Sequence, residues 1–190
     1  MEIKEFYNEF ISRFNRHKRF FESDDCREIS KGDWTRGVEK YIKKIFEENF
    51  ECICICKNNL AQKDDMQEFL ALDYTVFKKN EKATMDNLIH QDIIYAVEHE
   101  NNVSHDRIAH NISKLLNVSA KNKIMIGYVR KEEEKDEIFE KLKSQIKEMK
   151  PNRFRSDERL LVILGNERMA SSSEYRARLF YLNSKRVADL

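Results

Sequence analysis

The chain has 190 residues, with 35 Lys and Arg against 34 Asp and Glu and a net charge of +1. Hydrophobic residues at 41% and charged residues at 36% exclude a disordered polyelectrolyte, and no apolar run reaches the roughly 18 residues a membrane span needs. With 4 Gly and 1 Pro, the chain reads as one domain over 1–190, made of regular elements with short connections and large enough for a substantial core.

The opening Met1-Glu2-Ile3-Lys4-Glu5-Phe6 is the start of an amphipathic helix and not a signal peptide. Ile3, Phe6, Phe10, Ile11 and Phe14 continue it at helical spacing to about residue 21. The polar stretch from Glu22 to Asp33 reads as a loop. A second helix runs from about Trp34 to Asn49, with Val38, Tyr41, Ile42, Ile45 and Phe46 on one stripe. Phe50–Cys56 is a strand, followed by the turn-like Lys57-Asn58-Asn59. Cys52, Cys54 and Cys56 share one face of that strand. A flat strand splays thiols instead of wrapping them around a tetrahedral ion, so they read as small buried hydrophobes in a reducing, cytoplasmic setting.

Phe69–Phe77 is a second strand, leading into the polar Lys78, Lys79 and Asn80, and Ile93–Glu100 is a third. Ser104 caps a helix from His105 to Asn117, with Ile108, Ile112, Leu115 and Leu116 inward. Lys123–Val129 is a fourth strand, Glu132–Lys150 a charged helix stopped by Pro151, Arg159–Leu164 a fifth strand and Arg176–Leu182 a sixth. Consecutive strands imply antiparallel neighbours, and strand–helix–strand implies a parallel crossover. The expected class is α/β, a mixed sheet flanked by helices.

Three acids do not fit a purely structural reading. Asp73 lies in the apolar run Leu72-Asp73-Tyr74, and Glu98 and Glu100 close the third strand. Alternation puts Glu98 and Glu100 on one face, with Cα atoms about 6.5–7 Å apart. Like charges about 4 Å apart repel by roughly 4 kcal/mol at an effective dielectric of 20. If the second and third strands pair, all three carboxylates can converge, and a divalent cation with oxygen ligands offsets the repulsion. His99 points to the opposite face as a core or sheet-face group. His105 and His110, five residues apart, do not make an i, i+4 metal pair.

An acid on the second core strand, an acid-x-acid pair on the third, then a helix and a fourth strand resembles the PD-(D/E)xK nuclease superfamily, in the variant with glutamate at the usual lysine position. The resemblance covers about residues 34–130, with the N-terminal helix of 1–33 and residues 131–190 as embellishment. It implies a restriction-endonuclease-like αβββαβ core that binds Mg²⁺ or Mn²⁺ and hydrolyses DNA, with a restriction or other defence role. Asp73, Glu98 and Glu100 are then the catalytic acids and, with Glu39 on the helix before the sheet, the metal set. Leu72 stands where the family has proline and Glu100 where it has lysine; Lys78 and Lys114 are lysines that could stand in spatially. The alternatives are an inactive nuclease-fold protein that binds nucleic acid or a protein partner, and an unrelated α/β interaction protein whose acids never meet.

Charge is unevenly spread. Residues 51–120 hold 7 basic and 11 acidic groups, and residues 121–190 hold 17 and 12. An acidic site beside a basic region suits cation-assisted action on a polyanion. Arg153, Arg155 and Arg159 make a basic cluster around Phe154 that suits either phosphate contact, with Arg153 and Arg155 as the expected nucleic-acid contacts, or a solvated loop, and Arg176 and Arg178 add to the basic excess of this region. Cutting both duplex strands favours a homodimer, one site per strand.

Overall fold

A computed structural model describes residues 2–21, 31–49, 52–56, 72–78, 92–150, 153–167 and 175–190. The expected turn at Lys57-Asn58-Asn59, the connection at Lys79 and Asn80, Cys26 and Pro151 lie outside the described residues. Among the described residues, no helix is long and apolar enough to cross a membrane.

The elements in chain order are α1 (Ile3–Phe21), α2 (Lys31–Asn49), β1 (Cys52–Cys56), β2 (Tyr74–Lys78), β3 (Ile93–Glu100), α3 (His105–Asn117), β4 (Ala120–Val129), α4 (Glu132–Glu148), β5 (Arg159–Asn166), β6 (Arg176–Tyr181) and β7 (Arg186–Asp189). The seven strands form one mixed sheet in sequential order. β1, β2 and β3 are mutually antiparallel, β3, β4 and β5 are parallel, and β6 and β7 return antiparallel. The α/β class with a mixed, helix-flanked sheet is therefore observed.

Side-chain alternation sorts the core into two layers. Tyr95 and Val97 of β3, Ile124 and Ile126 of β4, and Leu161 and Ile163 of β5 pack with Ile3, Phe6 and Phe10 of α1 and Val38, Ile42 and Ile45 of α2. Ala96, Met125, Leu160 and Val162 face the other way, against Ile108, Ile112 and Leu115 of α3 and Phe139, Leu142 and Ile146 of α4. The parallel strands are covered on both faces, which is why β4 and β5 read as nearly continuous apolar runs. Asn122 is a buried polar exception in β4, and so is Lys123. Wholly buried, Lys123 pairs with Glu158 and donates to the Ala120 carbonyl at 2.9 Å, holding the start of β4 to the chain before β5.

Several boundaries differ from expectation. α2 begins at Lys31, three residues before Trp34. β4 begins at Ala120 and β5 runs on to Asn166, because strand pairing extends past the apolar run. Asp73 is not inside a strand: it sits in the bend before β2, which starts at Tyr74. The unexpected seventh strand follows a tight turn over 182–185 in which Lys185 takes the left-handed φ of 55°. Neither Gly nor Asn occupies that position, so the usual residue signal for the turn is missing.

Candidate functional site

β2 and β3 place the two central acids. Tyr74 pairs with Val97 and Thr75 with Ala96, so continuing the register one step sets Asp73 opposite Glu98. Cross-strand partners share a face, here the α3 face that Ala96 also occupies. The two carboxyl groups lie within hydrogen-bonding reach of each other. Asp73 is fixed by a second contact: its Oδ2 accepts the His99 backbone N–H at 2.8 Å. The bend before β2 thus holds its carboxylate against the next strand.

Glu98 is 2% exposed. Burial first, and the Asp73 charge second, push its carboxyl up to about 7, while the Lys114 ammonium pulls it back part of the way. Lys114 projects from the inner side of α3, and its Nζ lies 2.7 Å from Glu98 Oε1. That oxygen is sealed from solvent, and the Lys114 ammonium is its partner. The buried hydroxyl of Thr75, two residues along the chain from Asp73, has no hydrogen-bond partner among the described residues.

Glu100 shares the face of Glu98 by alternation but is turned to a different task. Its Oε1 accepts the Asn102 backbone N–H at 2.7 Å, and its Oε2 accepts Asn111 Nδ2 at 3.3 Å. It thereby clasps the loop between β3 and α3. Gly127 of β4 stands beside Glu100 in register, and a Cβ there would meet Ile108 Cγ1 at 3.3 Å, so the glycine lets α3 settle close to the sheet. Glu39 is half-buried on α2, one turn after Thr35, whose hydroxyl accepts Asn101 Nδ2 at 2.5 Å. Among the described residues, no group of three or more His, Cys, Asp or Glu side chains is arranged to hold a metal ion. Asp73, Glu98 and Lys114 thus meet, while the Glu100 oxygens accept from Asn102 and Asn111.

His99 points away from Glu98 into the opposite layer. Its Nε2 is 3.1 Å from Tyr128 Oη, which is 3.4 Å from Tyr175 Oη. Burial pushes its imidazole down to about 4, so the ring is neutral near pH 7. His105 is half-exposed, 3.6 Å from Glu134, and His110 is exposed.

The C-terminal arginines are largely engaged. Arg153 donates to Asn117 Oδ1 at 2.7 Å and stacks over Phe154, with its guanidinium carbon 5.7 Å from the ring centroid. Arg155 lies 3.5 Å from Asp157 and 3.8 Å from Glu158. Arg176 and Arg178 bind Asp136, Glu140 and Asp189, joining β6 to α4 and β7. Arg153 and Arg155 remain at the surface, whereas Arg176 and Arg178 hold the fold's own carboxylates.

Chemically, the site is a pair of facing carboxyls, one deeply buried, with an ammonium beside it. Its oxygen donors suit a hard divalent cation, and two protein ligands would leave most coordination positions to water and to phosphate oxygens. The elevated Glu98 carboxyl facing Asp73 fits such an ion, whose charge would favour the ionised form of Glu98. No family model matches the chain, and no curated protein matches it.

Proposed function

We propose that the chain is a divalent-metal-dependent nuclease that hydrolyses DNA phosphodiesters, built on a restriction-endonuclease-like core formed by α2, β1, β2, β3, α3 and β4. The observation that carries this reading is the meeting of Asp73 and Glu98 beside Lys114. In this reading Asp73 and Glu98 hold Mg²⁺ or Mn²⁺, which when bound supplies Lewis-acid activation of the scissile phosphate and a nucleophilic water. Lys114 takes the part of the lysine absent from β3. Reaching the site from α3, its ammonium lies where it can stabilise charge developing on the phosphate or hold the attacking water. The His99 backbone N–H orients Asp73. Glu100 contributes by fixing the loop that leads to α3, and so the position of Lys114. Arg153 and Arg155 are the proposed phosphate contacts, and two copies, one per strand, would serve a duplex.

The test is plasmid cleavage with Mn²⁺, comparing wild type, Glu98→Ala and Lys114→Ala. Metal-dependent nicking in wild type that both variants lose supports the reading; a wild type inert with every divalent ion overturns it. The engagement of Glu100 by Asn102 and Asn111 favours a second reading, a nuclease-fold protein that binds nucleic acid or a protein without cutting. Retained DNA affinity in an inert wild type would select it.

A further inference from the structure

We propose that Thr75 is a positioning residue of the metal site, its hydroxyl holding solvent against the Asp73–Glu98 pair. The inference rests on the metal-dependent reading above. Thr75 is 1% exposed, and its Oγ1 has no hydrogen-bond partner among the described residues. A buried hydroxyl without a partner costs stability, and native cores seldom keep one, so the atom calls for an explanation.

Its neighbours narrow the choice. In register, Thr75 stands between Ile55 of β1 and Ala96 of β3, both apolar. It shares its strand face with Asp73, two residues away, and Glu98 is its diagonal neighbour across β2 and β3. The row that offers it a polar partner is therefore the carboxylate row of Asp73 and Glu98. A buried hydroxyl beside that pair is matched by water held on a bound cation, with Thr75 fixing where that water sits. Such groups fix ligand geometry, and losing one typically weakens metal binding about tenfold or more.

A fold-building role and this one predict opposite results for a change that removes only the hydroxyl. Thr75→Val keeps the branched shape, Thr75→Ser keeps the hydroxyl, and Thr75→Ala removes the hydroxyl without adding a methyl. Mn²⁺ affinity would be titrated for wild type and all three, and melting followed in EDTA. In EDTA, Thr75→Val is expected to melt at or a few degrees above wild type, about 2–4 °C, since an unpaired polar group has gone. Its Mn²⁺ dissociation constant is expected to weaken by about tenfold, with Thr75→Ala equally weak and Thr75→Ser close to wild type. Wild-type Mn²⁺ affinity in Thr75→Val or Thr75→Ala would overturn the role of Thr75 and leave the metal site standing. A metal-free melting temperature several degrees lower in Thr75→Val would also overturn it, by revealing a partner within the fold. A wild type that binds no Mn²⁺ would remove this inference and the metal-dependent reading together.

Discussion

Lys114 and Glu98 lie 2.7 Å apart, one on a helix and one on a strand, sixteen residues from each other in the chain. The contact exists because α3 leaves the end of β3 and packs back over it on the way to β4. An ammonium reaching the acids from the helix can do the work of one on the strand, provided the helix is held at a fixed height.

Lys114→Met should therefore separate chemistry from metal binding. Removing the cation takes away a group that stabilises ionised Glu98 but also a competitor for its oxygen. Cleavage is expected to fall by about 10²-fold or more, with Mn²⁺ affinity unchanged or tighter. Single-turnover cleavage and Mn²⁺ titration on the same preparation would check this; proportionate loss of both would mean that Lys114 serves only to shape the site.

The pH dependence of metal-free stability has two opposed contributions. Glu98, raised to about 7 in the fold, stabilises the native state at low pH and loses that contribution as pH climbs from about 4.5 to 7, on the order of 3 kcal/mol. His99, lowered to about 4, acts the other way, its contribution growing as pH rises from about 4 to 6.5. Wild type in EDTA should vary little between pH 5 and about 6, because the two terms offset each other there. Glu98→Gln should show only the rising His99 term and should be the more stable protein at pH 8. Urea unfolding at several pH values would measure both; the same pH profile in wild type and variant would refute the burial effect at Glu98.

Glu100→Gln is expected to cost stability more than chemistry. It keeps an acceptor for the Asn102 amide but weakens the charge-assisted bonds to Asn102 and Asn111, a loss of about 1–2 kcal/mol. Cleavage should drop far less than in Glu98→Gln. An equal collapse of activity in both, with Glu100→Gln melting normally, would place Glu100 among the catalytic acids.

Salt dependence should distinguish the two surface arginines. Arg153→Ala is expected to flatten the slope of log K against log salt by about 0.9 on duplex DNA. Arg155→Ala should change it less, because Asp157 and Glu158 already offset that charge. Fluorescence anisotropy at several salt concentrations would decide, and unchanged slopes would remove this face from the DNA interface.

The fold was legible where hydrophobic pattern decides it. The run Ile93-Ile94-Tyr95-Ala96-Val97 and the stripe of Ile108, Ile112 and Leu115 are long periodic signals, and both elements lie where that pattern puts them. β7 was not legible: it is four residues long, polar at both ends and held by pairing with β6. At the site, the facing of Asp73 and Glu98 follows from strand order, but two outcomes depend on packing that no pattern encodes. Whether Lys114 reaches Glu98 depends on how closely α3 lies on the sheet, which Gly127 permits. Glu100 sits at the end of the strand, where a loop amide could capture it, and alternation alone gives its face but not its partner.

The bond from the His99 amide to Asp73 gives the site a built-in spectroscopic reporter. A backbone proton held by a carboxylate is deshielded, and its resonance position follows the charge on that carboxylate. In a nitrogen–proton correlation spectrum, the His99 signal would shift when Asp73 takes up a proton or shares its electrons with a cation, without any label placed in the site. Its hydrogen-exchange rate would record how often the bend before β2 lets go of β3. One amide thus makes ligand occupancy and local opening separately observable.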